Sequence, residues 1–325
     1  MDDGGRRPLK VGLVLPHLEE WMGGETARWS DLVAMARQAE TLGFDSLWLV
    51  DHFWYRFPLD DDAEPQRGVW ECWSLLAALA AATSRIELGT LVTCTAFRNP
   101  ALLAKMAAPV DEISGGRLIL GLGAGYYEQE FRAYGYPVDR LVSRFAEALA
   151  IILPLLREGQ VDFAGTYYQA RECELRPRGL RPSGPPLLVG AEGERMLRLT
   201  ARHADMWNVW TCNSPARVAE FRARVDAACA DVGRDPGTLA RTVTAMVDLP
   251  GFANVPRVPW VTRFRARDEP PLSGSPAEVA AALRDLAGAG ISHVQLCLEP
   301  STLAGVEAGA RVLDALDRIS AAPRK

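Results

Sequence analysis

Residues Ile86 to Gly135 read IELGTLVTCTAFRNPALLAKMAAPVDEISGGRLILGLGAGYYEQEFRAYG. The stretch begins with one apolar run, Ile86–Val92, and contains a second, Arg117–Leu122. Between them Asn99-Pro100 starts a helix. Strand, helix and strand in that order make a right-handed βαβ unit with parallel strands. Runs that are apolar nearly throughout suit strands covered on both faces.

The pattern recurs along the chain. Further strand candidates are Leu9–Leu15, Ser46–Val50, Pro186–Gly190, Met206–Trp210, Thr242–Leu249 and His293–Leu298. A helix over Thr26–Leu42 carries Leu32, Met35, Ala36 and Ala39 on one stripe and stops at Gly43. Another over Pro276–Ala289 follows Ser275 as N-cap, with Glu278 three residues on. Eight such units predict one (β/α)8 TIM barrel, class α/β, over residues 1–325. Barrels of this kind reach such lengths as a single domain. An open doubly wound sheet is the alternative. Its nucleotide fingerprint belongs at the first strand, where GLVLPHLEEWMGG (Gly12–Gly24) has no G-x-G-x-x-G.

Hydrophobic residues make up 48% and charged residues 24%, enough apolar material for a core. The net charge of -5 argues against a nucleic-acid partner, which calls for a basic face. The six cysteines form no C-x-x-C pair, so neither a zinc site nor a disulfide framework is expected, and no metal. MDDGGRRPLK lacks the apolar segment of a secretory signal, and no run of about 18 apolar residues suggests a membrane span. The expectation is a cytoplasmic protein with reduced thiols.

Function in a barrel gathers where strands end. Two long strand-to-helix loops, Phe53–Trp70 and Gly251–Pro271, fall at that rim, the second with Arg257, Arg263, Arg265 and Arg267. A hairpin is expected over Val161–Arg171, turning at Ala164–Gly165. Asp51-His52 after the second strand is a plausible acid/base pair, although neighbours on extended chain point opposite ways. His52 reads equally as a loop residue. Thr93-Cys94-Thr95 offers small hydroxyl side chains, and Gly121, Gly123 and Gly125 let a ligand approach main chain. Gly190-Ala191-Glu192-Gly193 leads into a helix and reads either as an anion site or as an ordinary turn. Trp54, Tyr55, Tyr126, Trp210 and Trp260 suggest an aromatic pocket or core.

Taken together, Ile86–Gly135, GFDSLWLVDHF (Gly43–Phe53), PPLLVGAEGERMLRLTARHADMWN (Pro185–Asn208) and GSPAEVAAALRDLAGAGISHVQL (Gly274–Leu296) resemble the bacterial-luciferase-like flavin-dependent enzymes, in family order and over nearly the whole chain. That resemblance implies one of two chemistries: reduced FMN with molecular oxygen for monooxygenation, or coenzyme F420, a 5-deazaflavin, for hydride transfer. Asp51-His52 resembles the deazaflavin branch, with His52 near the reactive ring carbon. The resemblance further implies a bulge at Thr90–Leu91, often with a non-prolyl cis peptide, and a ring hydrogen bond at Thr93. It implies cofactor contacts at Gly123, Gly125 and Gln129, a phosphate turn at Gly190 and Ala191, and a basic phosphate ligand at Arg198. The family's paired glycines at that turn are here Gly190 and Ala191, which leaves the turn less open. Trp54, Tyr126 and Trp210 would then line a small-molecule substrate pocket. Family members often dimerise, so a homodimer is possible. A barrel that has lost catalysis and serves as a subunit is a further alternative.

Overall fold

The computed structural model describes residues 7–56, 65–256 and 269–321. Eight strands line up with the eight apolar runs: β1 (Lys10–Val14), β2 (Ser46–Leu49), β3 (Glu87–Thr90), β4 (Leu118–Gly123), β5 (Leu187–Gly190), β6 (Met206–Val209), β7 (Ala240–Asp248) and β8 (His293–Glu299). The helices are α1 (Trp29–Thr41), α2 (Cys72–Ala82), α3 (Pro100–Ser114), α4 (Glu128–Tyr134), α5 (Leu141–Arg157), α6 (Glu194–His203), α7 (Pro215–Asp231), α8 (Pro276–Gly288) and α9 (Leu303–Ala321). Each strand pairs in parallel with the next, and β8 returns to β1 with His293 opposite Lys10. The sheet is closed, which removes the open alternative.

Local signals set the helix ends. The stripe Leu32, Met35, Ala36 and Ala39 is buried as its period predicts. α1 starts at Trp29, not Thr26, because the Asp31 carboxylate accepts the Arg28 N–H and fixes the cap there. Ser275 and Glu278 form a reciprocal capping box on α8.

Burial divides the strand residues between two cores. On β4, Leu118, Leu120 and Leu122 pack outward against helices, while Ile119 points into the lumen. Trp48 fills the lumen with Val14, Leu188, Met246 and Cys297. Glycines on both flanking strands admit its ring: a Cβ at Gly89 would lie 2.2 Å from Trp48 Cζ3, and one at Gly12 2.6 Å from Nε1. Below it, Ser46 Oγ accepts the indole N–H at 2.7 Å and lies 2.7 Å from His293 Nε2.

Burial lowers the pKa of His293 to about 3, with Lys10 adding to the effect. The folded state therefore holds this imidazole neutral, whereas an unfolded chain protonates it below its ordinary value of 6.5. Its contribution to stability is complete above that value and is lost as pH falls toward 3, by roughly 1.4 kcal/mol per pH unit. Urea denaturation at about pH 6 and 4.5 is expected to show wild type losing about 2 kcal/mol more than His293→Asn. Equal losses would assign the acid sensitivity elsewhere.

The rim departs from the expected loops. Trp54–Tyr55 pairs antiparallel with Arg67–Gly68, so the first long loop carries a short ribbon. The hairpin runs longer than expected, Gln160–Ala164 with Gln169–Glu174, and its turn is closed by Gly165 N–H donating to the Tyr168 carbonyl. Arg257, Trp260, Arg263, Arg265 and Arg267 lie outside the described residues. Among the described residues no helix is long and apolar enough to cross a membrane.

Candidate active site

The end of β2 sends two adjacent side chains to different partners. Asp51 is buried and takes a bidentate contact from Arg98, at 2.6 and 2.9 Å, together with the Cys94 N–H at 2.9 Å. Arg98 also reaches Glu71, the N-cap of α2, at 2.7 Å. Burial pushes the Asp51 carboxyl upward, and Arg98 opposes the rise. Asp51 thus ties the segment after β2 to the segment after β3.

His52 turns toward α4. Its Nδ1 lies 2.9 Å from Glu130 Oε2, and the other Glu130 oxygen accepts the Phe53 and Trp54 N–H groups. Glu130 is fully buried. A buried carboxylate that accepts backbone N–H groups is oriented by the main chain, so it fixes the imidazole in turn. Phe53 packs on Phe97, Tyr134 and Tyr136, which clamps the segment carrying His52. With Nδ1 held on Glu130, Nε2 faces the Tyr126 hydroxyl at 3.4 Å.

The segment after β3 is a bulge that resumes pairing at Thr93–Cys94 beside β4. The non-prolyl cis peptide is Leu91–Val92, one residue later than the Thr90–Leu91 expectation. The shift has a packing reason. Thr90 stays in strand register, where its Oγ1 donates to the Gly121 carbonyl at 2.7 Å and accepts the Gly121 N–H at 3.1 Å. Leu91 joins the lumen cluster, and Val92 sits in a seat made by two glycines. A Cβ at Gly123 would lie 2.6 Å from Val92 Cγ2, and one at Gly190 3.2 Å from it. These glycines therefore receive the bulge itself. Gly125, at φ +83, turns the chain against Cys94 and Phe131.

The turn after β5 is partly engaged by the fold. The Ala191 N–H donates to the Asn208 carbonyl at 3.1 Å, and the Ala191 carbonyl accepts the Trp207 indole N–H at 2.7 Å. Gly193 caps α6 with no side-chain hydrogen bond, so the first-turn N–H groups of α6 take no side-chain cap. Arg198 pairs with Asp231, the last residue of α7, at 3.0 Å and with Glu194, the first residue of α6, at 3.9 Å. Gln129 accepts the Tyr127 hydroxyl at 3.2 Å.

Trp54 and Trp210 pack against the lumen cluster beside Tyr127 and Leu91, and Tyr126 stands edge-on to the His52 ring. The mouth is thus walled by apolar and aromatic groups. Three buried hydroxyls past strand ends, Thr93 Oγ1, Thr211 Oγ1 and Ser301 Oγ, have no hydrogen-bond partner among the described residues. Thr211 also holds φ +55, a rare conformation for a β-branched residue and one that marks functional sites. Buried hydroxyls without partners are costly unless a ligand completes them. Unpartnered hydroxyls of this kind fit a bound group that carries polar edges, as a flavin-type group does. Among the described residues no cluster of three or more His, Cys, Asp or Glu could hold a metal ion.

Sequence reasoning passed over Glu130 and Arg98. In YYEQEF the carboxylates Glu128 and Glu130 look alike, yet Glu128 is exposed on Arg132 while Glu130 is buried on His52. Only the two-residue offset on α4, which turns the pair to opposite faces, separates them.

The model of the luciferase-like monooxygenase family matches residues 9–248. The chain is 32% identical over 212 residues to phthiodiolone/phenolphthiodiolone dimycocerosates ketoreductase of Mycobacterium tuberculosis, covering 61% of this chain and 55% of the relative. It therefore spans about half the length of that ketoreductase. An F420-dependent hydroxymycolic acid dehydrogenase of the same species is 33% identical over 240 residues, 71% of this chain and 60% of the relative. Pyrimidine monooxygenase RutA of Cronobacter turicensis is 30% identical over 267 residues, 78% of this chain and 68% of the relative. Among solved structures, an F420-dependent secondary alcohol dehydrogenase in complex with an F420-acetone adduct superposes with TM-score 0.77 at 20% identity, covering 95% of this chain and 99% of that one. Monooxygenase RslO1 from Streptomyces bottropensis gives 0.73 at 22%, covering 94% and 98%. At those identities the superpositions establish the barrel. The family model and the RutA match carry the rest: this chain belongs to the luciferase-like monooxygenase family.

Proposed function

We propose that the protein is a coenzyme F420-dependent oxidoreductase that moves a hydride between the deazaflavin and a carbonyl or alcohol carbon of an apolar small molecule. The observation that carries this reading is the His52 imidazole, held at Nδ1 by buried Glu130 with Nε2 facing the Tyr126 hydroxyl at the mouth. Carbonyl reduction needs one proton at the oxygen for each hydride at carbon, and a histidine so held can supply it. The F420-dependent and ketoreductase relatives agree with that chemistry.

Coenzyme F420, when bound, supplies or accepts the hydride. The chain's own residues do the remainder. The bulge from Leu91 to Thr93 would back the ring, and Thr93 Oγ1 would offer it a hydrogen bond. The first turn of α6 would receive the phosphate. Trp54 and Trp210 exclude water from the reacting atoms. His52 holds or releases the proton, and Glu130 keeps its ring in one tautomer.

The second reading is an FMN-dependent monooxygenase, favoured by the RutA match, which covers more of this chain than the ketoreductase match does. Titration of the purified protein with F420 and with FMN, followed by oxygen uptake, separates the two. We expect saturable F420 binding and no oxygen consumption. Tight FMN binding with oxygen uptake overturns the deazaflavin reading, and binding of neither favours a non-catalytic subunit.

A further inference from the structure

We infer that Tyr126 is the residue that exchanges the proton with substrate, and that His52 acts through it. This inference rests on the oxidoreductase reading above and assigns the reacting proton to a particular atom. The Tyr126 hydroxyl lies 3.4 Å from His52 Nε2, with the two rings edge to face at 77° and 5.6 Å between centroids. The His52 side chain is only 15% exposed, whereas Tyr126 is 64% exposed at the mouth. The phenol therefore stands beside Nε2 with its ring open to the mouth. The neighbouring Tyr127 does not share this role, since it is buried and its hydroxyl donates to Gln129. Glu130 closes the chain from the other end at Nδ1.

The three groups form a line: buried carboxylate, imidazole, phenol. In the reducing direction the substrate carbonyl carbon gains a hydride from a reduced deazaflavin, and the C=O π pair moves to oxygen. That oxygen takes the Tyr126 hydroxyl proton as the phenol oxygen takes the Nε2 proton of imidazolium. His52 ends neutral, with its Nδ1–H still on Glu130. Oxidation of an alcohol runs the same transfers backward. Glu130 is a positioning residue in this scheme, because a carboxylate there selects the tautomer with its proton on Nδ1. The other titratable groups around the pair are Asp51, neutralised by Arg98, and His17, Tyr127 and Cys94.

The test uses the full chain, free of cofactor and labelled with 15N. The chain has four histidines, and loss of one signal set in His52→Asn assigns the relevant imidazole. In wild type we expect Nδ1 protonated and Nε2 accepting a hydrogen bond. Tyr126→Phe should shift the Nε2 resonance by loss of the phenol hydrogen bond and leave Nδ1 in place. Glu130→Gln presents an amide donor to the ring and should transfer the proton to Nε2. Turnover is then measured with reduced F420 and 2-octanone as the carbonyl probe. Tyr126→Phe should lower kcat by about 10²-fold with KM within a few-fold, and should remove the limb of the pH profile that reports the relay. An unchanged Nε2 resonance in Tyr126→Phe, or wild-type kcat in that variant, overturns the proposal. Absence of turnover in wild type counts against the deazaflavin reading instead, and the imidazole spectra still decide the relay.

Discussion

His52→Ala is expected to lower kcat by about 10²–10⁴-fold while F420 affinity stays within a few-fold of wild type. The expectation follows from what the substitution removes. The His52 imidazole is locked in orientation, by Glu130 at Nδ1 and by the packed ring of Phe53 beside it. Alanine leaves the bulge after β3, the buried Thr93 hydroxyl and the start of α6 intact, so the elements assigned to cofactor binding remain. It also leaves Glu130 with its two backbone donors, the N–H groups of Phe53 and Trp54, so the buried carboxylate keeps partners and the fold has no reason to open. A fall in kcat and in kcat/KM together would mark an interaction made in the transition state. The measurement is steady-state turnover beside a cofactor titration on the same preparations. Unchanged turnover with intact binding would remove His52 from the chemistry, and lost binding would recast it as a cofactor contact.

The largest stability effect is expected at Arg98. Arg98→Met should cost about 3–5 kcal/mol, because it leaves the Asp51 carboxylate buried with only the Cys94 N–H. The guanidinium joins three segments at once: the end of β2 through Asp51, the cap of α2 through Glu71, and its own loop after β3. Arg132→Ala is the control. Its partner Glu128 sits four residues earlier on an exposed helix face, where such pairs contribute at most about 0.5 kcal/mol. Removing both charges by Asp51→Leu with Arg98→Met should recover a large part of the loss, since the penalty lies in the unpaired charge more than in the missing attraction. Urea denaturation of the three variants checks this ordering. A loss below about 1 kcal/mol for Arg98→Met would show that water reaches Asp51 and relieves it.

Much of the architecture was legible before any coordinates. The eight apolar runs anticipate the strands to within a few residues, and Ser275 with Glu278 marks the start of α8. Such signals are local: a capping box spans one turn, and a strand's apolar character arises from its own residues. The family blocks added the barrel mouth as the place to look.

The arrangement at the mouth came from the tertiary structure. On strands apolar on both faces the two-residue period disappears, so nothing in the sequence of β4 tells that Ile119 enters the lumen while Leu118 and Leu120 leave it. The glycines of β4 and β5 read as an open floor for a ligand, and the structure fills that floor with Val92. Asp51-His52 read as a pair, and closure of the barrel separates them, sending Asp51 to Arg98 47 residues away and His52 to Glu130 78 residues away. Arg198, expected at a phosphate, is drawn to Asp231 across the neighbouring helix. Residue types and local order thus announce a closed barrel with chemistry at its rim. Which carboxylate meets which cation depends on how distant segments come together when the sheet closes.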